Sequence, residues 1–196
     1  GGAEEGWGYN FDGGLGDGAI VESHVPVAVT GLTSGVTAIT TGLYHSCAQV
    51  TVAGANLTKC WGDNIDGELG LGDQLFQSQP VVVTGLTSGA TALAPSSIAR
   101  HACAIVGGGA KCWGDNENGA LGNGTTSDSS IPVTVSGLTS GVSAIADGGN
   151  HTCAVVSGKA MCWGWNANGQ LGNSITTDSS VPVTAIDTGV TAIGAG

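Results

Sequence analysis

Short apolar runs alternate with glycine-rich turns along the whole chain, and no stretch keeps the 3.6-residue spacing of an amphipathic helix. The runs are rich in Val, Ile and Thr, and β-branched residues favour strands. Gly, Ser and Asn separate the runs, as tight turns require. The pattern predicts an all-β protein of short strands joined by tight turns.

The pattern W-G-x-N-x-[D/N]-G-x-L-G occurs four times, with its tryptophans 54, 52 and 50 residues apart. Four prolines follow at the same intervals, each in a short strand-like run. Because proline cannot donate a backbone hydrogen bond, each of these runs is predicted to be an edge strand. The tryptophans are Trp7, Trp61, Trp113 and Trp163, and the prolines are Pro26, Pro80, Pro132 and Pro182.

Each period contains four predicted strands, which is the content of one propeller blade. The proline strand and a Gly-rich connector lead to a strand at residues 36–39, 90–93, 142–145 or 190–193. A His-x-Cys-Ala strand and a Cys-Trp-Gly strand follow it. We predict a β-propeller of four-stranded antiparallel blades, formed by a single repeat domain of residues 1–196. Its units are residues 1–34, 35–88, 89–140 and 141–188, with a terminal strand at 189–196.

Six cysteines form one pair in each of the last three units, and each pair flanks a turn centred on two residues, Ala53-Gly54, Gly107-Gly108 or Ser157-Gly158. Two-residue turns with glycine are typical of hairpins, and their register places the paired cysteines opposite each other. We predict three disulfides, because zinc sites usually show Cys-x₂₋₄-Cys pairs. Disulfides indicate an oxidising compartment, so we expect an extracellular or cell-surface protein. The pairs are Cys47 with Cys60, Cys103 with Cys112, and Cys153 with Cys162.

The charge is one-sided, with 15 Asp and Glu residues against four Lys and Arg residues. Such a surface repels phosphate backbones, which argues against nucleic acid as a partner. No apolar run is long enough to predict a membrane-spanning segment. The G-x-S-x-G motif and a glycine-rich phosphate loop before a helix are both absent. We therefore expect no enzyme activity, no cofactor and no small-molecule substrate.

Together, His-Thr-Cys-Ala at 151–154, Cys-Trp-Gly at 162–164 and the Asn-Gly turn at 166–172 resemble the regulator of chromosome condensation repeat. The resemblance covers essentially the whole chain and implies a β-propeller. Its cysteine pairs look like those of secreted bacterial or archaeal versions of the repeat. Members of the family include a nuclear exchange factor, a plant ultraviolet photoreceptor and a secreted inhibitor of β-lactamases. The photoreceptor's tryptophans are missing here, since residues 43–44, 99–100 and 149–150 stand at those positions.

Residues that recur once per unit are interpreted as structural. We expect His45, His101 and His151 to form hydrogen bonds between neighbouring blades, because a repeat needs the same contact in every unit. We expect the four motif tryptophans to pack between blades. The turn at residues 63–68 suggests calcium, but Ile65 stands where an EF-hand loop needs an oxygen ligand. Asn56, Asn123 and Asn150 lie in glycosylation acceptor patterns.

Residues that depart from the repeat consensus mark a possible interface, because a partner is contacted at particular positions and not at every unit. They include aromatic side chains, which are enriched where proteins meet. They are Trp165, Tyr44, Phe11, Phe76 and Arg100.

The ends of the sequence align with incomplete parts of the repeat. Gly1-Gly2 aligns with a hairpin turn, and residues 189–196 align with the first strand of a unit. We expect these segments to join in one blade that lacks its His-x-Cys-Ala strand, with Gly6 at the place of a cysteine. An open strand edge favours addition of another strand. A part of a longer seven-bladed propeller, a subunit completed by another chain, and a small four-bladed ring all remain open.

These observations predict a non-enzymatic extracellular scaffold for protein interaction or for self-assembly into a surface or filament structure. Completion of the open blade by a strand from a neighbouring chain is one way in which it would act. A secreted inhibitor of a hydrolase is the alternative.

Overall fold

The structure, a computed structural model, describes residues 2–94, 96 and 98–196. This part of the chain contains fourteen β-strands and no helix, so it has no helix that could cross a membrane. The first unit contributes β1 (Glu5–Gly8) and β2 (Ser23–Ala28). The second contributes β3 (Val36–Thr41), β4 (His45–Val52), β5 (Ala55–Gly62) and β6 (Gln77–Val82). The third contributes β7 (Ala90–Leu93), β8 (His101–Val106), β9 (Gly109–Gly114) and β10 (Ser129–Thr134). The fourth contributes β11 (Val142–Asp147), β12 (His151–Val156), β13 (Lys159–Gly164) and β14 (Ser179–Ile186).

Three units form four-stranded antiparallel sheets, in which the strands lie side by side in the order of the sequence. The proline strands β6, β10 and β14 lie at sheet edges, as predicted from their missing backbone donors. The first unit forms a two-stranded sheet of β1 and β2. The architecture is that of propeller blades, and the ring of sheets is not closed.

The three cysteine pairs are joined by disulfides in the pairing predicted from the hairpin register. In each hairpin the two cysteines lie directly opposite each other, with Cα atoms 4.1 Å apart. The turns contain two residues, and both have positive φ, for example 51° at Ser157 and 80° at Gly158. Such turns match the twist of the flanking strands, which is why they fix the register.

A buried asparagine organises the turn after each Cys-Trp-Gly strand. Asn116 accepts a hydrogen bond from the backbone N–H of Leu121 at 2.9 Å, and its side-chain N–H₂ donates to the carbonyls of Thr125 and Ser127. The same pattern holds in the other units, so this side chain ties together two segments of one loop. The equivalent residues are Asn10, Asn64 and Asn166.

Neighbouring units are joined by the tryptophans. The indole N–H of Trp163 donates to the carbonyl of Ala120 in the preceding unit at 2.7 Å, and its ring is fully buried. Trp61 and Trp113 make the same bond to Gly14 and Glu68. The buried apolar clusters combine residues of adjacent units around these rings.

The last glycine of the motif is required by this tryptophan contact. A Cβ at Gly122 would lie 2.7 Å from Trp163 Nε1, and the φ of Gly122 is 64°, which an L side chain rarely adopts. Gly16 and Gly70 face Trp61 and Trp113 in the same way. The Leu-Gly end of the motif and the Trp-Gly start therefore belong to one contact between successive units.

Two predictions about the ends are wrong in the structure. Trp7 is 64% exposed and not packed between blades, because no described unit lies against its indole. Residues 190–193 form no strand, since the segment makes only one recorded backbone bond, from Val190 N–H to the carbonyl of Gly158. That the two ends share one blade stays a prediction.

The hydrogen bonds of the Asn116 side chain predict a large loss of stability when this side chain is truncated. Asn116→Ala removes the acceptor of the buried Leu121 N–H and the donors to two partly buried carbonyls. We expect a loss of about 2–4 kcal/mol in the free energy of unfolding, measured by denaturant titration. Asn118→Ala is the control, since Asn118 makes no recorded side-chain hydrogen bond to a described residue. Equal losses for the two variants would contradict the role of Asn116.

Candidate functional site

A groove runs along the open edge of β1, between the first and second units. On one side lie Glu5 and Trp7 of β1, and on the other lie Ile39 and Thr41 of β3 and Ser46 of β4. Its volume is about 360 Å³. We call it the first-unit groove.

Among the described strands β1 pairs only with β2, so one edge of its backbone faces this groove. Glu4 uses its N–H and C=O on the other side, with Leu32 and Val29. Because these groups alternate along a strand, the N–H and C=O of Glu5 and Trp7 face the groove. The edge can therefore pair with one more antiparallel strand.

The complete units show what lies at the equivalent place. In the third unit β8 pairs with β9 and packs against β11 of the fourth unit. A Cβ at Gly114 or Gly164 would lie 2.6 Å from the backbone carbonyl just before the paired histidine, whereas a Cβ at Gly8 meets no atom within 4 Å. The groove is thus the position of a His-x-Cys-Ala strand, and no described residue fills it.

Exposed aromatic side chains gather beside the groove. The rings of Tyr9 and Phe11 lie 5.2 Å apart in an edge-to-face arrangement, and the rings of Tyr9 and Tyr44 lie 6.2 Å apart. All three side chains are exposed, as is that of Trp7. We call Trp7, Tyr9, Phe11 and Tyr44 the aromatic surface. Single exposed aromatic residues are common, but a contiguous group beside an open strand edge is a typical contact surface.

Of the five residues predicted to form an interface, two belong to the aromatic surface, namely Phe11 and Tyr44. Phe76 is exposed and Trp165 is half-buried, and neither is part of a ring pair recorded among the described residues. Arg100 stands at the position of Tyr44 one unit later, and it forms an ion pair with Asp66 at 3.3 Å. The interface role of Phe76, Trp165 and Arg100 stays a prediction.

The groove is acidic. Among the described residues that line it are Glu4, Glu5 and Asp12, and none of the lining residues is Lys or Arg. Partial burial raises the pKa of Glu4. The charge favours a neutral or basic occupant over an acidic one.

The recurring histidine is buried in each complete unit. His101 Nε2 lies 2.9 Å from Thr152 Oγ1 of the next unit. Since the Thr152 hydroxyl donates to the carbonyl of Ala120, the imidazole is the donor in this contact. This is the bond between blades that the repeat predicts. His45 cannot form the equivalent bond, because Ala102 stands at the position of Thr152 and has no hydroxyl group.

Burial governs the charge of these histidines. Burial, together with the charge of His101, lowers the pKa of His45 to about 4. Burial also lowers the pKa of His151. His101, Cys103 and Asp147 lie close enough together to suggest metal ligands, but the sulfur of Cys103 is bonded to Cys112. Only two ligand side chains therefore remain in that group.

The repeat pattern and the family comparison agree. The family model described as "Regulator of chromosome condensation (RCC1) repeat" matches residues 6–49 and 112–155. The chain carries RCC1 repeats. The human and the mouse E3 ubiquitin-protein ligase HERC2 are each 34% identical to it over 134 residues, which is 67% of this chain and 3% of the ligase. The chain thus spans a small fraction of these relatives.

Human WBSCR16 has a similar structure. The two chains superpose with a TM-score of 0.73 at 24% sequence identity, over 89% of this chain and 45% of that one. At this identity the likeness shows the fold, a propeller of RCC1-type blades.

Three notable residues of these RCC1 repeats were not singled out from the sequence. Tyr9 joins the aromatic surface, Glu68 is a buried carboxyl group, and Asp147 is buried with Oδ1 lacking a hydrogen-bond partner in the described structure. Each of the three differs from the residues at the equivalent positions of the other units. That difference is visible in the sequence and could have drawn attention to them. Glu68, for example, stands where other units have Gly14, Ala120 and Gln170.

We expect the buried carboxyl group of Glu68 to make the free energy of unfolding depend on pH. Burial raises its pKa to about 7, against an ordinary value of 4.5, although its carboxylate accepts the N–H of Asp66. The folded protein then holds a proton that the unfolded chain releases between these two values. The contribution of the Glu68 carboxyl group to the free energy of unfolding is fully present below pH 4.5. It is lost as the pH rises through 7.

Glu68→Gln removes this titration. We expect the free energy of unfolding of the variant, relative to the wild type, to rise by about 1–3 kcal/mol between pH 5 and pH 8. Denaturant titration at the two pH values measures it, and comparison with the wild type cancels the opposite contribution of His45. Glu117→Gln, an exposed change in the next unit, is the control and should show no such rise. A pH-independent difference for Glu68→Gln would contradict the assignment.

Proposed function

We propose that the protein is a non-enzymatic extracellular scaffold that binds another protein or assembles with neighbouring copies through the first unit. The aromatic surface beside an open strand edge carries this proposal. Buried aromatic side chains dominate the binding energy of many interfaces, and an open edge supplies backbone hydrogen bonds. RCC1-type propellers are typical interaction folds, which supports the same reading.

The extracellular location rests on the three disulfides. Each closes a hairpin within one sheet, and the cysteines are fully or almost fully buried. Such bonds persist in oxidising compartments and are rare in the cytosol. The net charge of −11 favours solubility and disfavours binding to phosphate backbones.

The double variant Phe11→Ser with Tyr44→Ser tests the aromatic surface. We expect the wild type to associate with itself as its concentration rises, measured by analytical ultracentrifugation under non-reducing conditions. The double variant should associate at least about tenfold more weakly, since truncating a central aromatic residue costs about 2 kcal/mol or more. Phe76→Ser removes an equally exposed ring outside the aromatic surface and should have no effect.

A wild-type chain that stays monomeric at every concentration would contradict self-assembly and leave binding of a different protein. Equal weakening by the Phe76→Ser control would contradict a specific role for the aromatic surface.

A further inference from the structure

Three exposed rings and a carboxylate meet at the contact between the first and second units. The ring of Tyr9 lies 5.2 Å from that of Phe11 and 6.2 Å from that of Tyr44, and all three are exposed. Partial desolvation and the nearby carboxylate of Asp12 raise the pKa of the Tyr9 hydroxyl. The four residues lie in the turns after β1 and before β4, between two units that the structure describes.

The next contact along the chain shows what occupies the equivalent place there. Arg100 of the third unit aligns with Tyr44, and Asp66 of the second unit aligns with Asp12. The guanidinium of Arg100 donates a hydrogen bond to the Asp66 carboxylate at 3.3 Å. A carboxylate at this position of the turn is thus paired with a guanidinium from the following unit.

Charge at this pair of positions changes from one contact to the next. Between the third and fourth units, Asn118 and Asn150 stand there, and neither is charged. Between the first and second units the turn keeps its carboxylate, but Tyr44 stands in place of the cation. No ion pair of Asp12 is recorded among the described residues. This contact therefore has the acceptor of an ion pair without the donor.

The chemistry of the place fits an arginine side chain. A guanidinium is planar and weakly hydrated, so it can stack on an aromatic ring while it donates hydrogen bonds to a carboxylate. The rings supply faces for stacking, Asp12 supplies the carboxylate, and the charge of Asp63 also acts on Tyr9. The net charge of −11 attracts a basic partner.

We propose that Asp12 and the rings of Tyr9, Phe11 and Tyr44 bind an arginine side chain of a different protein. The carboxylate of Asp12 accepts the guanidinium N–H groups, as Asp66 does from Arg100. The rings cover the face of the guanidinium. The arginine comes from a different protein because Arg100 is the one arginine in the sequence and is already paired with Asp66.

This inference rests on the proposed function, since it names the chemistry by which the aromatic surface recognises another protein. The self-association experiment uses no peptide, and the experiment below uses protein dilute enough to be monomeric. A protein that associates with itself but binds no arginine peptide would keep the proposed function and lose this inference. Binding of the peptide without self-association would do the reverse for self-assembly.

The probe is the peptide acetyl-Gly-Arg-Gly-amide, compared with the same peptide carrying citrulline in place of arginine. Citrulline keeps the length and planarity of the side chain but has no charge. Each peptide is titrated into the folded protein, and the ring-proton NMR shifts of Tyr9, Phe11 and Tyr44 are followed. We expect saturable shifts with the arginine peptide and about fivefold weaker binding of the citrulline peptide, because the cation–π and charge-assisted contacts are lost.

Asp12→Asn removes the carboxylate and suits the turn, since Asn118 and Asn168 occupy the same position in other units. We expect the variant to bind the arginine peptide about fivefold more weakly and the citrulline peptide as the wild type does. Glu117→Gln is the matched control, because it removes one negative charge from an exposed turn position of the third unit. It should bind both peptides as the wild type does.

Tyr44→Arg tests the site in the opposite direction. The substitution supplies a guanidinium from the chain itself beside Asp12, as Arg100 does beside Asp66. We expect the variant to fold, which the melting temperature checks, and to lose saturable binding of the arginine peptide. Binding as tight as that of the wild type would contradict the site.

Absence of saturable ring shifts with the arginine peptide would overturn the site. Equal affinity for the arginine and citrulline peptides would overturn the role of the positive charge. Equal weakening by Asp12→Asn and Glu117→Gln would overturn the role of Asp12, since the general charge of the surface would then explain the binding. Loss of self-association in Arg100→Gln, with an unchanged melting temperature, would assign the arginine to a second copy and overturn a different protein as its source.

Discussion

The tryptophan contact between successive units is the interaction on which the rest of the structure depends. Each buried indole donates to a turn carbonyl of the unit before it, and its ring lies where the last glycine of the preceding motif lacks a side chain. A single bond of this type contributes modestly, but the large buried ring adds the apolar packing that holds two sheets together. The periodic Trp-Gly and Leu-Gly pairs in the sequence are the two halves of this contact.

The first unit lacks this contact at its own tryptophan. Trp61, Trp113 and Trp163 each lie against the turn of the preceding unit. Trp7 is exposed, and among the described strands β1 pairs only with β2. The aromatic surface and the first-unit groove lie together at this place, so the features that suggest binding arise from the same geometry that builds the blades.

Much of the fold could be predicted from the sequence because it is determined by local rules. Proline marked the edge strands, two-residue turns fixed the hairpin register, and that register paired the cysteines. The terminal segment 190–193 was wrongly predicted as a strand, because a strand requires a neighbour as well as a suitable sequence. The pattern of residues carries no information about whether that neighbour is present.

The candidate site was predictable only in part. Phe11 and Tyr44 stood out as departures from the repeat, whereas Tyr9 between them did not, since its role depends on which residues of two units meet. Burial of Glu68 likewise arises from contacts with the next unit, where the indole of Trp113 bonds to its backbone carbonyl. Positions that break a repeat are visible in the sequence, but their grouping requires the three-dimensional arrangement.

Hydrogen–deuterium exchange of the backbone amides tests the central claim, the open edge of β1, most directly. Glu5 and Trp7 should exchange nearly as fast as an unstructured peptide in the isolated protein. Their equivalents Lys111 and Trp113, which pair with β8, should be protected by several orders of magnitude. Equal protection of the two pairs would show that β1 already has a partner strand and would contradict the account.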